Sequence, residues 1–171
     1  DRSPSRGLGD VYKRQYHSKT IAYSIWHIFR IEDIVAHTVI TEDEQVFFTG
    51  NYQVRINSPI ITTGNELVKQ QIADFSKQLN LEELYSYIFE VRESTEKILE
   101  RFSYDELKWK IPDERKGYLK SLNVVNCDEK AIWLIDYWCS KDIRGLIQMP
   151  FSRHWIMHTE ACLRIKNKMH S

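Results

Sequence analysis

Apolar side chains recur at helical intervals along most of this chain. Residues 20–40 form its most apolar stretch, with Ile21, Ile25, Ile28, Ile31 (or Glu32) and Val35 three or four apart, widened by Trp26 and Phe29. The polar, β-leaning segment TEDEQVFFTGNYQVRINSPIITTG follows, and its Gly50, Pro59 and Gly64 exclude a continuous helix. It is long for a structureless loop, so it is expected to pack on the domain or border a site.

Thr63-x-x-Glu66 reads as a capping box before a helix with Leu67, Ile72, Phe75 and Leu79 on its apolar face. Asn80-x-x-Glu83 reads as a second box. Behind it Leu84, Ile88, Val91, Thr95, Ile98 and Phe102 make a bundle seam. Ser103-x-x-Glu106 predicts a short helix ended by the loop around Pro112 and Gly117. Asn126-x-x-Glu129 opens another, with Ala131, Leu134, Ile135 and Trp138 on one side, and Gly145 and Pro150 close that region. Ser152 is the expected N-cap of a last helix running to about Lys168, with Ile156, Cys162 (or Leu163) and Ile165 inside. Long amphipathic helices without a run of strands give an all-α class and a helix bundle.

Composition narrows the function classes. The 171 residues suffice for one domain with its own core. Lys+Arg and Asp+Glu are equal at 24 each, so there is no electrostatic footprint for nucleic acid. No apolar run is long enough to span a bilayer, which argues against a membrane partner. Three cysteines without Cys-x-x-Cys spacing (Cys127, Cys139, Cys162) favour reduced thiols and a cytoplasmic setting. Residues 1–15, DRSPSRGLGDVYKRQ, lack apolar periodicity and resemble a peptide that arises when adaptor read-through is translated. They are expected to be an artefact or a disordered tail, leaving 16–171 as the domain. They hold four basic residues and two acidic ones, so the remainder is mildly acidic.

Two histidines stand out by spacing. His154 and His158 are four apart, so a helix projects both from one face, where two imidazoles can meet one ion. Two partly exposed histidines near a helix start would look the same. His27 lies between Trp26 and Ile28 in the most apolar helix, and a buried imidazole needs a partner for each ring nitrogen. A metal plus an outer acceptor satisfies both, as would a Tyr or carboxylate alone. Trp155 stands where a zinc peptidase helix carries its Glu, so H-E-x-x-H chemistry is absent. Glu32, Asp33 and Asp136 are candidate outer acceptors, whereas Glu160 projects away from the His154/His158 face. His17, His37 and His170 are expected at the surface or in loops. Trp109, Trp133, Trp138 and Trp155 read as packing, and the cysteines as small buried hydrophobes.

IAYSIWHIFRIEDI, together with WLIDYWCSKDIRGLIQMPFSRHWIMHTEACLRIK, resembles the DinB superfamily, and the likeness covers essentially all of 18–168. It implies a four-helix bundle holding a metal through three His, one on the second helix and two on the last; here those are His27, His154 and His158. His154-x-x-x-His158-x-Glu160 is also similar to the iron-holding motif of the DinB-like domain in ergothioneine-forming sulfoxide synthases. The resemblance implies a divalent metal (Zn, Ni or Fe), a small-molecule substrate and a low-molecular-weight thiol as co-substrate, since relatives include thiol S-transferases and a thiol-dependent isomerase. Trp26 and Trp155 are then expected to wall the pocket. A non-catalytic metal-binding or stress-response domain is the alternative. Relatives begin with a helix where this chain has residues 1–15, so a bundle lacking its first helix is expected, with an apolar groove beside His27. Self-association, a homodimer included, would follow from such a groove.

Overall fold

The structure is a computed structural model that describes Lys13 and residues 19–169. The expectations for residues 1–15, for a missing first helix, for His17 and for His170 fall outside the described residues, Lys13 excepted. The described residues are mostly helical and contain no strand; an isolated bridge pairs Lys110 with Asp142. None of their helices is long and apolar enough to cross a membrane.

Helix α1 (Ile21–Asp33) is the hub. Thr20 caps it by accepting from the Tyr23 amide, and every residue except Ile25 is buried. A helix buried on all sides has neighbours on all sides: α1 packs against α5 (Leu81–Leu99), α4 (Gln70–Gln78) and α9 (Arg153–Met169). Beyond Asp33 the chain widens into a π-helix, Ile34–Thr41, in which six of eight residues are β-branched. Such side chains crowd the preceding turn, and the Thr41 hydroxyl donates back to the carbonyls of Ala36 and His37. Glu42, with φ of 62°, ends it.

The N-terminal half of α1 supplies Ala22, Tyr23, Trp26, Ile28 and Phe29 to one apolar core, shared with α2 (Val46–Thr49), α3 (Tyr52–Arg55), α4 and the first half of α5. Ile31 and the π-helix feed a second core, with α6 (Arg115–Ser121), α7 (Glu129–Cys139) and α8 (Ile143–Gln148). Each fully buried aliphatic or Phe side chain contributes about 1.5–3 kcal/mol. His27 lies between Trp26 and Ile28 of the first core.

Several boundaries differ from the sequence reading. The β-leaning segment forms α2 and α3. The Thr63-x-x-Glu66 box does not form: Glu66 pairs with the Thr62 hydroxyl, and α4 starts only at Gln70. Gly64, at φ of +77°, turns the chain away from a helix there. Asn80 caps α5 as expected, accepting from the amides of Glu82 and Glu83, and the inward residues include Leu84, Val91, Thr95 and Ile98. Gly117 and Gly145 lie within α6 and α8 rather than ending helices. Asp128, not Asn126, caps α7, because Asn126 bonds the Asp128 amide instead. In α9 Ile165 points inward, but Ile156 and Leu163 are exposed; the inward face near its start belongs to His154 and His158.

Candidate metal centre and its cavity

Helices α1 and α9 pack together and bring His27, His154 and His158 to one place. A ring nitrogen of each lies within 4.8 Å of the others, so the three could hold a metal ion. His27 is buried, and His154 and His158 are each 9% exposed. Their ring centroids stand 4.5–5.1 Å apart. The i,i+4 spacing on α9 places its pair on one face, and a single helical position on α1 completes the group.

His27 is the best defined of the three. Its Nδ1 lies 2.7 Å from the Thr63 carbonyl, an acceptor only, so Nδ1 carries the proton and donates. Its Nε2 lone pair then faces the site, 3.2 Å from Nε2 of His154. Two nitrogens bound at about 2.0–2.1 Å to one zinc-sized ion stand roughly 3.0–3.4 Å apart, so this separation suits two ligands of one ion. Tyr23 stacks on His27 at 5.6 Å and 12°, and donates from its hydroxyl to the Gly64 carbonyl. The 63–64 turn thus holds both rings. Nδ1 of His154 and of His158 are buried without a hydrogen-bond partner among the described residues.

The electrostatics favour neutral rings. Desolvation, followed by the His154 and His158 charges, holds His27 well below the usual imidazole range. Burial, then His158 and Lys19, push His154 down to about 3. Burial and Lys19 push His158 down to about 4. A neutral imidazole is the metal-binding form, so protons compete weakly here near neutrality.

The three rings line a cavity of about 650 Å³, within the range of small-molecule sites. Its walls are largely apolar and aromatic: Tyr23, Trp133, Tyr137, Trp138, Met149 and Met157. Lys19, Asn65 and Lys69 supply polar groups, and among the described residues no Asp or Glu is on the lining.

Several sequence expectations for the surroundings are corrected. Trp26 is fully buried against Phe75, and Trp155 turns away to pack on Phe29 and donate from Nε1 to Glu32, so neither walls the cavity. Trp133, expected to be packing, is half-exposed on the lining, and Trp138 serves both core and cavity. The candidate carboxylate acceptors do not reach the histidines. Glu32 pairs with Arg92, Asp33 with Arg30, and Asp136 with Lys116, while the Thr63 carbonyl takes the role beside His27. Glu160 is exposed, as its register requires. His37, expected at the surface, is buried in the π-helix with its Nε2 3.0 Å from the Ser94 hydroxyl. Cys139 is buried and Cys162 partly so, whereas Cys127 is exposed.

Sequence reasoning missed Lys19, Tyr23, Thr63, Trp133, Tyr137 and Met157. The i,i+4 pair Trp133/Tyr137 was a readable aromatic face, and Tyr23 stands one turn before His27. Nothing in the sequence marks the backbone oxygen of Thr63. No family model, curated protein or solved structure matches the chain.

Proposed function

We propose that this protein is a DinB-like metal-dependent enzyme that acts on a small molecule together with a low-molecular-weight thiol, in a four-helix-bundle setting. The carrying observation is the convergence of three neutral imidazoles from two helices on the wall of a cavity large enough for a substrate. His27, His154 and His158 are the ligands of a divalent ion, Zn, Ni or Fe. Three protein ligands leave coordination positions open, which is the pattern of catalytic rather than structural sites. Bound there, such an ion supplies Lewis acidity and lowers the pKa of a thiol or water.

The chain's own residues define the rest. The Thr63 carbonyl fixes the His27 tautomer, and Tyr23 holds the ring plane. Trp133, Tyr137, Trp138 and Met157 exclude water and seat the apolar part of a substrate. Among the described residues the cavity offers no carboxylate as general base. This supports transfer with a thiol nucleophile over hydrolysis by a base-activated water.

One observation favours a second reading, in which the metal is a non-catalytic pin. α9 turns His154 and His158 inward where an apolar anchor would otherwise be expected, and leaves Ile156 exposed. The test is to strip the protein with a chelator, reload it with Zn(II), Ni(II) or Fe(II), and measure bound metal and thiol turnover. The enzyme reading expects one equivalent of metal and turnover of a thiol with an electrophile. Metal uptake at wild-type stoichiometry in His27→Ala, His154→Ala and His158→Ala would end the three-ligand assignment. Metal-dependent thermal stability without turnover for any thiol would favour the pin.

A further inference from the structure

The cavity's charge is one-sided. The whole chain balances 24 basic against 24 acidic residues, yet among the described residues the lining holds two lysines, three histidines and no carboxylate. Lys19 immediately precedes the Thr20 cap of α1. It lines the same cavity as the three imidazoles, and its side chain pairs with no carboxylate among the described residues. Lys19 is exposed, and an ammonium lining the same cavity as a centre that carries positive charge when loaded favours an anion between them.

We propose that the cavity takes a small carboxylic acid, its carboxylate set between Lys19 and the three-His centre and its apolar body on Trp133, Tyr137 and Met157. This deepens the metal reading of the same site and rests on it for the second anchor of the carboxylate. The lining favours a carboxylate over a phosphate. Among the described residues it contains no arginine, whose planar fork suits phosphate, and lysine ammonium groups beside an apolar wall match an acid group on an apolar frame. The body's seat is equally defined. Trp133 and Met157 are 50% and 58% exposed, and the Trp133 and Tyr137 rings meet edge to face at 5.8 Å, so a flat or branched apolar group can cover them.

The test uses the full chain, loaded with Zn(II) and also metal-free, and three probes of one shape: 3-phenylpropionate, its neutral amide, and 2-phenylethanethiol. Calorimetry, or quenching of tryptophan fluorescence, reads the affinities. The acid is expected to bind the loaded protein at least about tenfold more tightly than the amide. Lys19→Gln removes that preference and Lys19→Arg keeps it. Equal binding of acid and amide overturns the carboxylate assignment. So does a thiol that binds more tightly than the acid and is indifferent to Lys19→Gln. The metal reading is scored separately, by bound metal. Metal uptake without acid preference sinks only the carboxylate assignment. A Lys19-dependent acid preference in protein that takes up no metal upholds the carboxylate and sinks the metal.

Discussion

Helix α1 carries two buried polar clusters less than two turns apart, and they are built on opposite plans. Around Arg30 and Asp33 nearly every polar atom is answered from within the chain. Arg30 donates to the Ile61 carbonyl, Gln45, Asp33 and the Tyr87 hydroxyl, and its guanidinium lies 4.2 Å from the Phe47 ring centroid. Asp33 accepts from the amides of Val46 and Phe47 and from the Tyr87 hydroxyl. Around His27 only Nδ1 is answered from outside the histidine group; its Nε2 meets Nε2 of His154, and Nδ1 of His154 and of His158 have no partner among the described residues. A closed network fixes the path of the chain, whereas an open one has capacity for something that is not protein. The same helix therefore carries a closed structural network and a histidine group that could hold a metal ion. The difference lies in what the neighbouring segments offer.

The largest effect that separates the two plans comes from Asp33→Ala, which leaves Arg30 charged, buried and short of its partner. It should cost about 3–5 kcal/mol in denaturant unfolding, and a paired apolar replacement, Arg30→Met with Asp33→Leu, should recover most of that. A midpoint within about 3 °C of wild type would deny the network its structural role. Next comes the open cluster. His27→Ala, His154→Ala and His158→Ala should each weaken metal binding by roughly 100-fold or more, about 2.7 kcal/mol, with helicity by circular dichroism nearly unchanged. Loss of fold in all three would erase the contrast.

The pH dependence of the metal-free protein sharpens it further. The folded imidazoles have proton affinities lowered to about 3 for His154 and about 4 for His158, below the ordinary value. The unfolded chain therefore binds more protons. Stability is fully present above pH ~6.5 and falls as the pH drops toward those lower values, by at least about 2 kcal/mol at pH 4. Glu32, pushed up by burial, acts in the opposite sense. The measurement is therefore the difference between wild type and a His154→Gln/His158→Gln double variant, which should be the less acid-sensitive. Parallel curves would contradict it.

Gly64→Ala should have a smaller effect. The added Cβ would meet Trp26 at 2.8 Å at a φ of +77°, displacing the turn that carries the Thr63 carbonyl. A loss of about 1–3 kcal/mol and roughly tenfold weaker metal binding are expected. Unchanged metal affinity would show that the carbonyl does not orient His27. The smallest effect belongs to Trp133→Ala. On a half-exposed ring it should alter stability by no more than about 1 kcal/mol while weakening apolar ligands of the cavity.

The hydrophobic pattern made α1, α5, α7 and α9 readable, because a buried helical face repeats at a period local sequence can display. The Asn80 cap was equally local. The segment 41–64 was misread because its β-branched and aromatic residues suit strands, while their burial against α1 and α5 made short helices the better way to pack them. His154 and His158 were visible as a spacing, and His27 as a polar residue in an apolar run.

By itself, then, the sequence determined an all-α chain and three histidines fit for a metal, since periodicity and side-chain chemistry are properties of neighbouring residues. Only the tertiary structure decided that those histidines share one point, that a backbone carbonyl orients His27, and that Glu32 and Asp33 serve the core instead. It alone gave the cavity its aromatic walls and placed Lys19 on its lining. Each of these depends on contacts between residues far apart in the chain, which no local pattern encodes.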